Sequence, residues 1–258
     1  MAKQSKHSPH ARPGKIRLDQ LLFDRDLAES RSRAQALIMA GLVFCDGMRV
    51  DKPGKTISID VEIKVKGKDH PWVSRGGVKL AHGLDHFALD PAGCICLDIG
   101  ASTGGFTDVL LSRGASRVYA VDVGHGQFDW KLRNDERVVL FERTNARHLT
   151  QAEIPEAIDF IVCDASFIGL QTVLPAPLAF AAPGALLIAL IKPQFEVGRD
   201  KVGKGGVVRD EGLHAQVCDM ISSWLSGLPG WDVLGVSESP ITGPEGNKEF
   251  LVAARYQS

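Results

Sequence analysis

Four charged residues stand where apolar runs or glycine turns end: Lys79 in VSRGGVKL, Asp164 in VCDASFIGL, Lys192 in LIKPQFE and Glu249 in GPEGNKEFL. Two ammonium groups and two carboxylates gathered in one place can orient a hydroxyl, take its proton or stabilise the oxyanion left behind. Lys192 ends the apolar run Ala185 to Ile191, so it either snorkels to water or points into a crevice, and Pro193 fixes the chain after it. A lysine works as a base only if its pKa falls, and a fall from about 10.4 to about 7.5 takes roughly 4 kcal/mol of differential interaction. A second cation at Lys79 favours that fall, whereas Asp164 and Glu249 oppose it. The expected assignment makes Lys192 the base or oxyanion stabiliser, Asp164 its orienting partner, and Lys79 and Glu249 the groups that position substrate.

A second constellation concerns a cofactor. Asp98-Ile99-Gly100-Ala101-Ser102-Thr103-Gly104-Gly105-Phe106 follows an apolar strand and opens a helix, and its glycines let backbone pass close to a ligand. The spacing departs from G-x-G-x-x-G, with Ala101, Ser102 and Thr103 filling the middle of the turn, which disfavours a dinucleotide. Asp98 precedes the turn, and Asp122 ends the next strand with Val123 beside it, where a carboxylate accepts hydrogen bonds from ribose hydroxyls and repels a 2′-phosphate. A cationic, phosphate-free cofactor suits two carboxylates, and S-adenosyl-L-methionine carries a sulfonium, an ammonium and a ribose diol. Asn145 and Ala146, past the third strand, are placed to meet the adenine edge. Asp164 serves both constellations, and no metal site is visible.

The elements that must position these groups alternate regularly. Strand signals at Cys94 to Ile99, Val118 to Val121, Val138 to Phe141, Phe160 to Cys163 and Ala185 to Ile191, with a helix from Gly105 to Arg113, predict an α/β doubly wound sheet. A helix from Asp210 to Ser226 and strands at Val233 to Glu238 and Phe250 to Ala254 complete it. The apolar stretch Pro175 to Ile191 is broken by Pro175, Pro177 and Pro183-Gly184, so it reads as a buried helix, a turn and a strand rather than a membrane span.

The first third of the chain is different. Residues 1 to 79 carry 16 Lys and Arg against 9 Asp and Glu, and the remainder 14 against 22, so the N-terminal part faces a polyanion. Residues 1–14 read as a flexible basic tail with no apolar signal segment. In 15–66 the pattern gives two short helices, the second capped by Ser30 and stopping before Gly41, then a hairpin about Asp46-Gly47. The alternation Ile57, Ile59, Val61, Ile63, Val65 reads as one half-buried strand. Residues 67–77 are an interdomain linker that orders near Trp72, and 78–258 form the large domain. The five cysteines lack a C-x-x-C pair and read as buried thiols in a reducing cytoplasm.

RLDQLLFDRDLAESRSRAQALIMAGLVFCDGMRV resembles the RNA-binding domain first named from ribosomal small-subunit protein four, an S4-like α+β domain. VSRGGVKL, LDIGASTGGFTDVLL, AVDVGHGQFDWKLR, ERTNAR, CDASFIGL, LIKPQFEVGR and GPEGNKEF occur in the order found in the TlyA family, which joins such a domain to an FtsJ-like ribose methyltransferase. That resemblance implies a Rossmann-like sheet of seven strands with the last antiparallel. It also implies a Lys79-Asp164-Lys192-Glu249 tetrad and transfer of a methyl group to cytidine 2′-hydroxyls of ribosomal RNA. Arg17, Arg31, Arg33, Arg49 and Arg75 are the corresponding RNA-binding candidates. His70-Pro71 before Trp72-Val73 departs from the family pattern and bears on domain orientation. Gly198 to Gly206 reads as a mobile loop able to meet RNA phosphates.

Three rival readings are weaker. A non-catalytic RNA-binding assembly factor would not need all four tetrad residues. A membrane-active hemolysin, a label the family also carries, would need a spanning segment or an amphipathic cationic helix that the sequence does not supply. A dehydrogenase would need the missing glycine pattern.

Overall fold

The computed structural model describes residues 14–28, 30–66, 70–243 and 246–257. The expected basic tail, apart from Gly14, and part of the expected linker lie outside them.

The N-terminal elements are small. Strand β1 (Lys15–Arg17) leads into helix α1 (Leu18–Asp24), and α2 (Arg31–Met39) starts where Ser30 Oγ accepts the Arg33 amide at 3.1 Å. Strands β2 (Val43–Cys45) and β3 (Met48–Arg49) form the expected hairpin, pairing Cys45 with Met48 across Asp46 (φ 47) and Gly47 (φ 77). Two positive φ values in a row are what a type I′ turn requires. The single strand expected after Ile57 is instead two, β4 (Thr56–Ser58) on β1 and β5 (Ile63–Val65) on β2. A tight turn at Ile59–Asp60 keeps the alternation in phase, because Ile57 and Val61 on either side of it both face one core with Leu18, Leu22 and Ile38.

The larger part opens with α3 (Gly76–His86), so the expected linker overlaps the first helical residues. There follow β6 (Ile95–Ile99), α4 (Gly105–Ser112), β7 (Arg117–Val121), α5 (Trp130–Arg133), β8 (Val138–Phe141) and β9 (Ile158–Cys163). Short helices α6 (Leu170–Val173) and α7 (Pro175–Leu178) precede β10 (Ala181–Ile191), and α8 (Pro193–Glu196), α9 (Glu211–Ser226), β11 (Trp231–Glu238) and β12 (Phe250–Tyr256) close the chain. The sheet order is β11-β12-β10-β9-β6-β7-β8; β12 runs antiparallel to both neighbours, and the pairs among β10, β9, β6, β7 and β8 are parallel. The seven-stranded sheet with its antiparallel last strand is as expected. At Pro183-Gly184, where a turn was expected, β10 instead runs through. Its ladder to β9 skips from Ala181 to Leu186, so the proline sits where no partner demands its missing N–H.

Period-two alternation sorts each strand between two cores. Leu97 and Ile99 of β6 pack with Ile221 and Leu225 of α9, while Cys96 faces Leu80 and Leu84 of α3 and Val109 and Leu110 of α4. Asp98 therefore points toward α4, buried among apolar groups, at the edge where β6 ends.

Candidate active site

The cofactor turn is held by its own backbone. Gly100 (φ 80), Ser102 (φ 47) and Gly104 (φ 93) all lie in the left-handed region, and a Cβ on Gly100 would stand 2.9 Å from the Ala165 backbone. Asp122 fastens the turn, its carboxylate accepting the Ser102 amide at 2.8 Å and the Gly124 amide at 2.6 Å. Asp98 accepts Thr107 Oγ1 at 2.7 Å through Oδ2. Its Oδ1, like Thr103 Oγ1, is buried without a hydrogen-bond partner among the described residues. Burial pushes the Asp98 carboxyl up to about 7, with the negative charges of Asp164 and Asp122 adding to the effect and the Thr107 bond opposing it. A small pocket opens here, lined in part by Gly100, Ala101, Ser102, Thr103 and Phe106, with Ser74, Gly76 and Asp164. Asn145 caps the short helical turn Ala146–His148 by accepting the Arg147 amide, and Ala146 is buried. Val123 is exposed.

Lys79, Asp164, Lys192 and Glu249 converge beside that cavity. Lys192 Nζ lies 2.5 Å from Asp164 Oδ1 and donates to the Asp164 carbonyl (3.1 Å) and to Ser166 Oγ (2.9 Å). Two hydrogen bonds to neutral acceptors and an ion pair with Asp164 thus hold the Lys192 ammonium in place. Lys79 Nζ stands 2.6 Å from Glu249 Oε2 and 3.6 Å from Asp164 Oδ2. Burial alone would lower Lys79 and raise Asp164; the ion pairs reverse both, holding Lys79 above and Asp164 below the ordinary value. Lys79 thus stays an ammonium. It comes not from an edge loop, as the glycine pattern suggested, but from the buried face of α3.

The RNA-binding candidates divide. Arg17 and Arg31 both reach Asp19, at 2.8 and 3.2 Å, with about half of each side chain still in solvent. Arg33 and Arg49 are exposed, whereas Arg75 is half-buried at the start of α3, away from the other four. The segment expected to be a mobile loop is fastened at its end: Asn247 Nδ2 donates to the Gly206 carbonyl (3.0 Å) and its Oδ1 accepts the Val208 amide (3.1 Å). Cys45, Cys96 and Cys163 are buried, but Cys94 and Cys218 are only half-buried.

The family described as FtsJ-like methyltransferase matches residues 72–256, and the S4 domain matches residues 16–63. A 16S/23S rRNA (cytidine-2′-O)-methyltransferase TlyA of Mycobacterium tuberculosis is 48% identical over 95% of this chain and 91% of its own. The chain belongs to the TlyA family of methyltransferases. Hemolysin A of Brachyspira hyodysenteriae is 41% identical over 92% of this chain and 98% of its own. A solved structure from Streptococcus thermophilus, also bearing the hemolysin name, is 42% identical and superposes with a TM-score of 0.81 over 96% of this chain and 90% of that one.

As a TlyA-family enzyme the protein uses S-adenosyl-L-methionine, and the residues present suit it. Asp98 Oδ1 and Thr103 Oγ1, buried and without a hydrogen-bond partner among the described residues, leave acceptors beside the pocket for a cationic ligand. Sequence reasoning missed four residues around this TlyA-family site. Ser74 is buried between the linker and the turn, and Ser166 receives Lys192. Phe167 is 89% exposed at φ 65, its ring 5.1 Å from Phe195. Asp26 arrives from the N-terminal domain. Only the exposed aromatic in CDASFIGL carried a sequence signal, a phenylalanine directly after a polar strand end.

Proposed function

We propose that the protein methylates cytidine 2′-hydroxyls of ribosomal RNA, with residues 15–66 recruiting the RNA, 67–77 linking, 78–258 performing the transfer, and the chain working in the cytoplasm. The observation that carries this reading is the buried set Lys79, Asp164, Lys192 and Glu249 beside the cofactor turn, in a chain 48% identical to a named rRNA ribose methyltransferase.

S-adenosylmethionine, when bound, supplies an electrophilic methyl group. Asp98, the turn from Gly100 to Phe106, Asp122, Val123, Asn145 and Ala146 hold it. Lys192 acts on the target hydroxyl either as the base that takes its proton or as the ammonium that stabilises negative charge on its oxygen. Asp164 keeps Lys192 aimed, and the Lys79–Glu249 pair fixes the wall against which the ribose rests. Phe167 offers an exposed ring on which the target base stacks. Arg17, Arg31, Arg33 and Arg49 contact phosphates and set register rather than sequence choice, and Arg75 does so at the mouth of the site.

Relatives bearing the hemolysin name share both domains, and among the described residues no helix is long and apolar enough to cross a membrane. A buried tetrad of ionisable groups favours the enzymatic reading. The test incubates the protein with methyl-labelled S-adenosylmethionine and separated, unmodified small and large ribosomal subunits, then maps the label by nuclease digestion. Label is expected on a cytidine ribose, and Lys192→Ala and Lys192→Arg should each lose about 10²-fold or more in rate. Label on a base, or none on any RNA, would sink the reading.

A further inference from the structure

Asp26 belongs to the N-terminal domain yet lines the methyl-donor cavity with Ser74, Gly76, Gly100, Thr103 and Asp164. It sits just after α1 in the left-handed region (φ 51), which aspartate tolerates better than most residues. The turn that carries it is anchored on both sides. The Asp26 amide donates to the Phe23 carbonyl at 3.0 Å and the Leu27 amide to the Leu22 carbonyl at 2.9 Å. The Arg25 guanidinium turns back to the carbonyls of Val61 and Ile59. Ile59 in turn lies against Gly126 of the larger domain, so the approach of Asp26 to the cavity is part of a wider domain contact.

A count of charges shows what the cavity lacks. Lys192 is engaged by Asp164 and Ser166, and Lys79 by Glu249. Arg75 acts on Asp26 from the start of α3, and Lys79 and Lys192 act on it from beyond their own partners. Against these stand Asp26, Asp98 and Asp122, two of which are raised by burial with Asp164 adding to it. Asp98 Oδ1 and Thr103 Oγ1 are buried beside them without a hydrogen-bond partner among the described residues. The pocket carries more carboxylate than cation and is matched by a ligand with surplus positive charge.

We infer that Asp26 is a binding residue of the cofactor pocket, contributed by the RNA-binding domain, and that its carboxylate selects the positively charged S-adenosylmethionine over the uncharged-sulfur product S-adenosylhomocysteine. This rests on the S-adenosylmethionine reading of the pocket. It makes docking of the N-terminal domain part of cofactor recognition, and it favours product release, since transfer of the methyl group leaves the thioether without the charge that Asp26 attracts.

The test is calorimetric titration of the full chain with S-adenosylmethionine and with S-adenosylhomocysteine, in wild type, Asp26→Asn and Asp26→Gly. Glycine adopts φ 51 without strain, so Asp26→Gly keeps a thermal unfolding midpoint at or above wild type and separates charge loss from misfolding. Both variants are expected to weaken S-adenosylmethionine about tenfold and S-adenosylhomocysteine by no more than about threefold, a loss appropriate to one partly buried charge contact. Equal losses for the two ligands, no loss, or tighter binding of S-adenosylmethionine overturns the inference; tighter binding would show that Asp26 plugs the pocket instead. A wild type that binds neither ligand would overturn the pocket assignment itself, which distinguishes that failure from this one.

Discussion

Lys79 and Glu249 are joined at 2.6 Å with 7% and 1% of their side chains in solvent, tying the first helix of the larger domain to the residue that precedes its last strand. Removing Glu249 leaves the buried Lys79 ammonium with only the more distant Asp164, at 3.6 Å, as counter-charge. Glu249→Ala is expected to lower unfolding stability by about 3–5 kcal/mol, read by denaturant titration. The double replacement Lys79→Met with Glu249→Leu should recover most of that loss and still fail to transfer methyl groups. Full activity in the double variant would show that the pair has only a structural role.

Asp98 gives a pH dependence with a definite sign. Its carboxyl stands at about 7 because of burial, and a cationic ligand prefers the carboxylate, so binding expels a proton. Affinity for S-adenosylmethionine should therefore rise with pH, by up to about tenfold per unit below 7, and level off above roughly pH 8. Calorimetry in buffers of different ionisation heat reads the proton release directly, and Asp98→Asn should flatten the slope. A wild-type affinity that does not change between pH 6 and 8 would rule out Asp98 as the titrating group.

What could be read in advance, and what could not, follows from the range of the interactions. The passage from β6 through the glycine turn to α4 is local: alternation, positive-φ glycines and a helix start are all written within Cys96 to Phe106. The Asp46-Gly47 hairpin is local in the same way. The split of β4 from β5 was hidden because Ile57 and Val61 face the same core on either side of a turn, so the period survived a break in the strand. Lys79 was found as a residue but misplaced on a loop, since VSRGG looks like a turn unless Trp72 packing on Gly77 is known. Asp26 had no local signal at all, because its position over the cavity depends on how the two domains meet.

Phe167 is the outward-facing counterpart of these buried groups. Its ring is held in a left-handed backbone turn against Phe195 with 89% exposure, an arrangement that gains little from the fold itself. Phe167→Ala should leave stability within about 0.5 kcal/mol and leave S-adenosylmethionine affinity unchanged. The Michaelis constant for RNA should rise by roughly 5- to 150-fold, the worth of about 1–3 kcal/mol per stacked base. A loss of cofactor affinity, or none in RNA affinity, would remove it from the RNA-binding surface.

The arginines of the N-terminal domain separate by the same logic of partners. Arg17 and Arg31 share the buried Asp19, whose carboxyl Arg17 holds far below its ordinary range, so truncating either arginine disturbs the domain as well as any phosphate contact. Arg33 and Arg49 are exposed, so their replacement is expected to weaken RNA binding with little effect on the domain itself. Arg33→Ala and Arg49→Ala should each reduce the slope of log affinity against log salt by about 1, with no change in unfolding midpoint. Asp19→Asn should instead lower the midpoint, because it leaves two guanidinium groups and Gln35 Nε2 without their common acceptor charge. If the salt slope is the same in wild type and in the Arg33→Ala, Arg49→Ala double variant, the phosphate backbone is gripped elsewhere and the N-terminal domain does not recruit the RNA through this face.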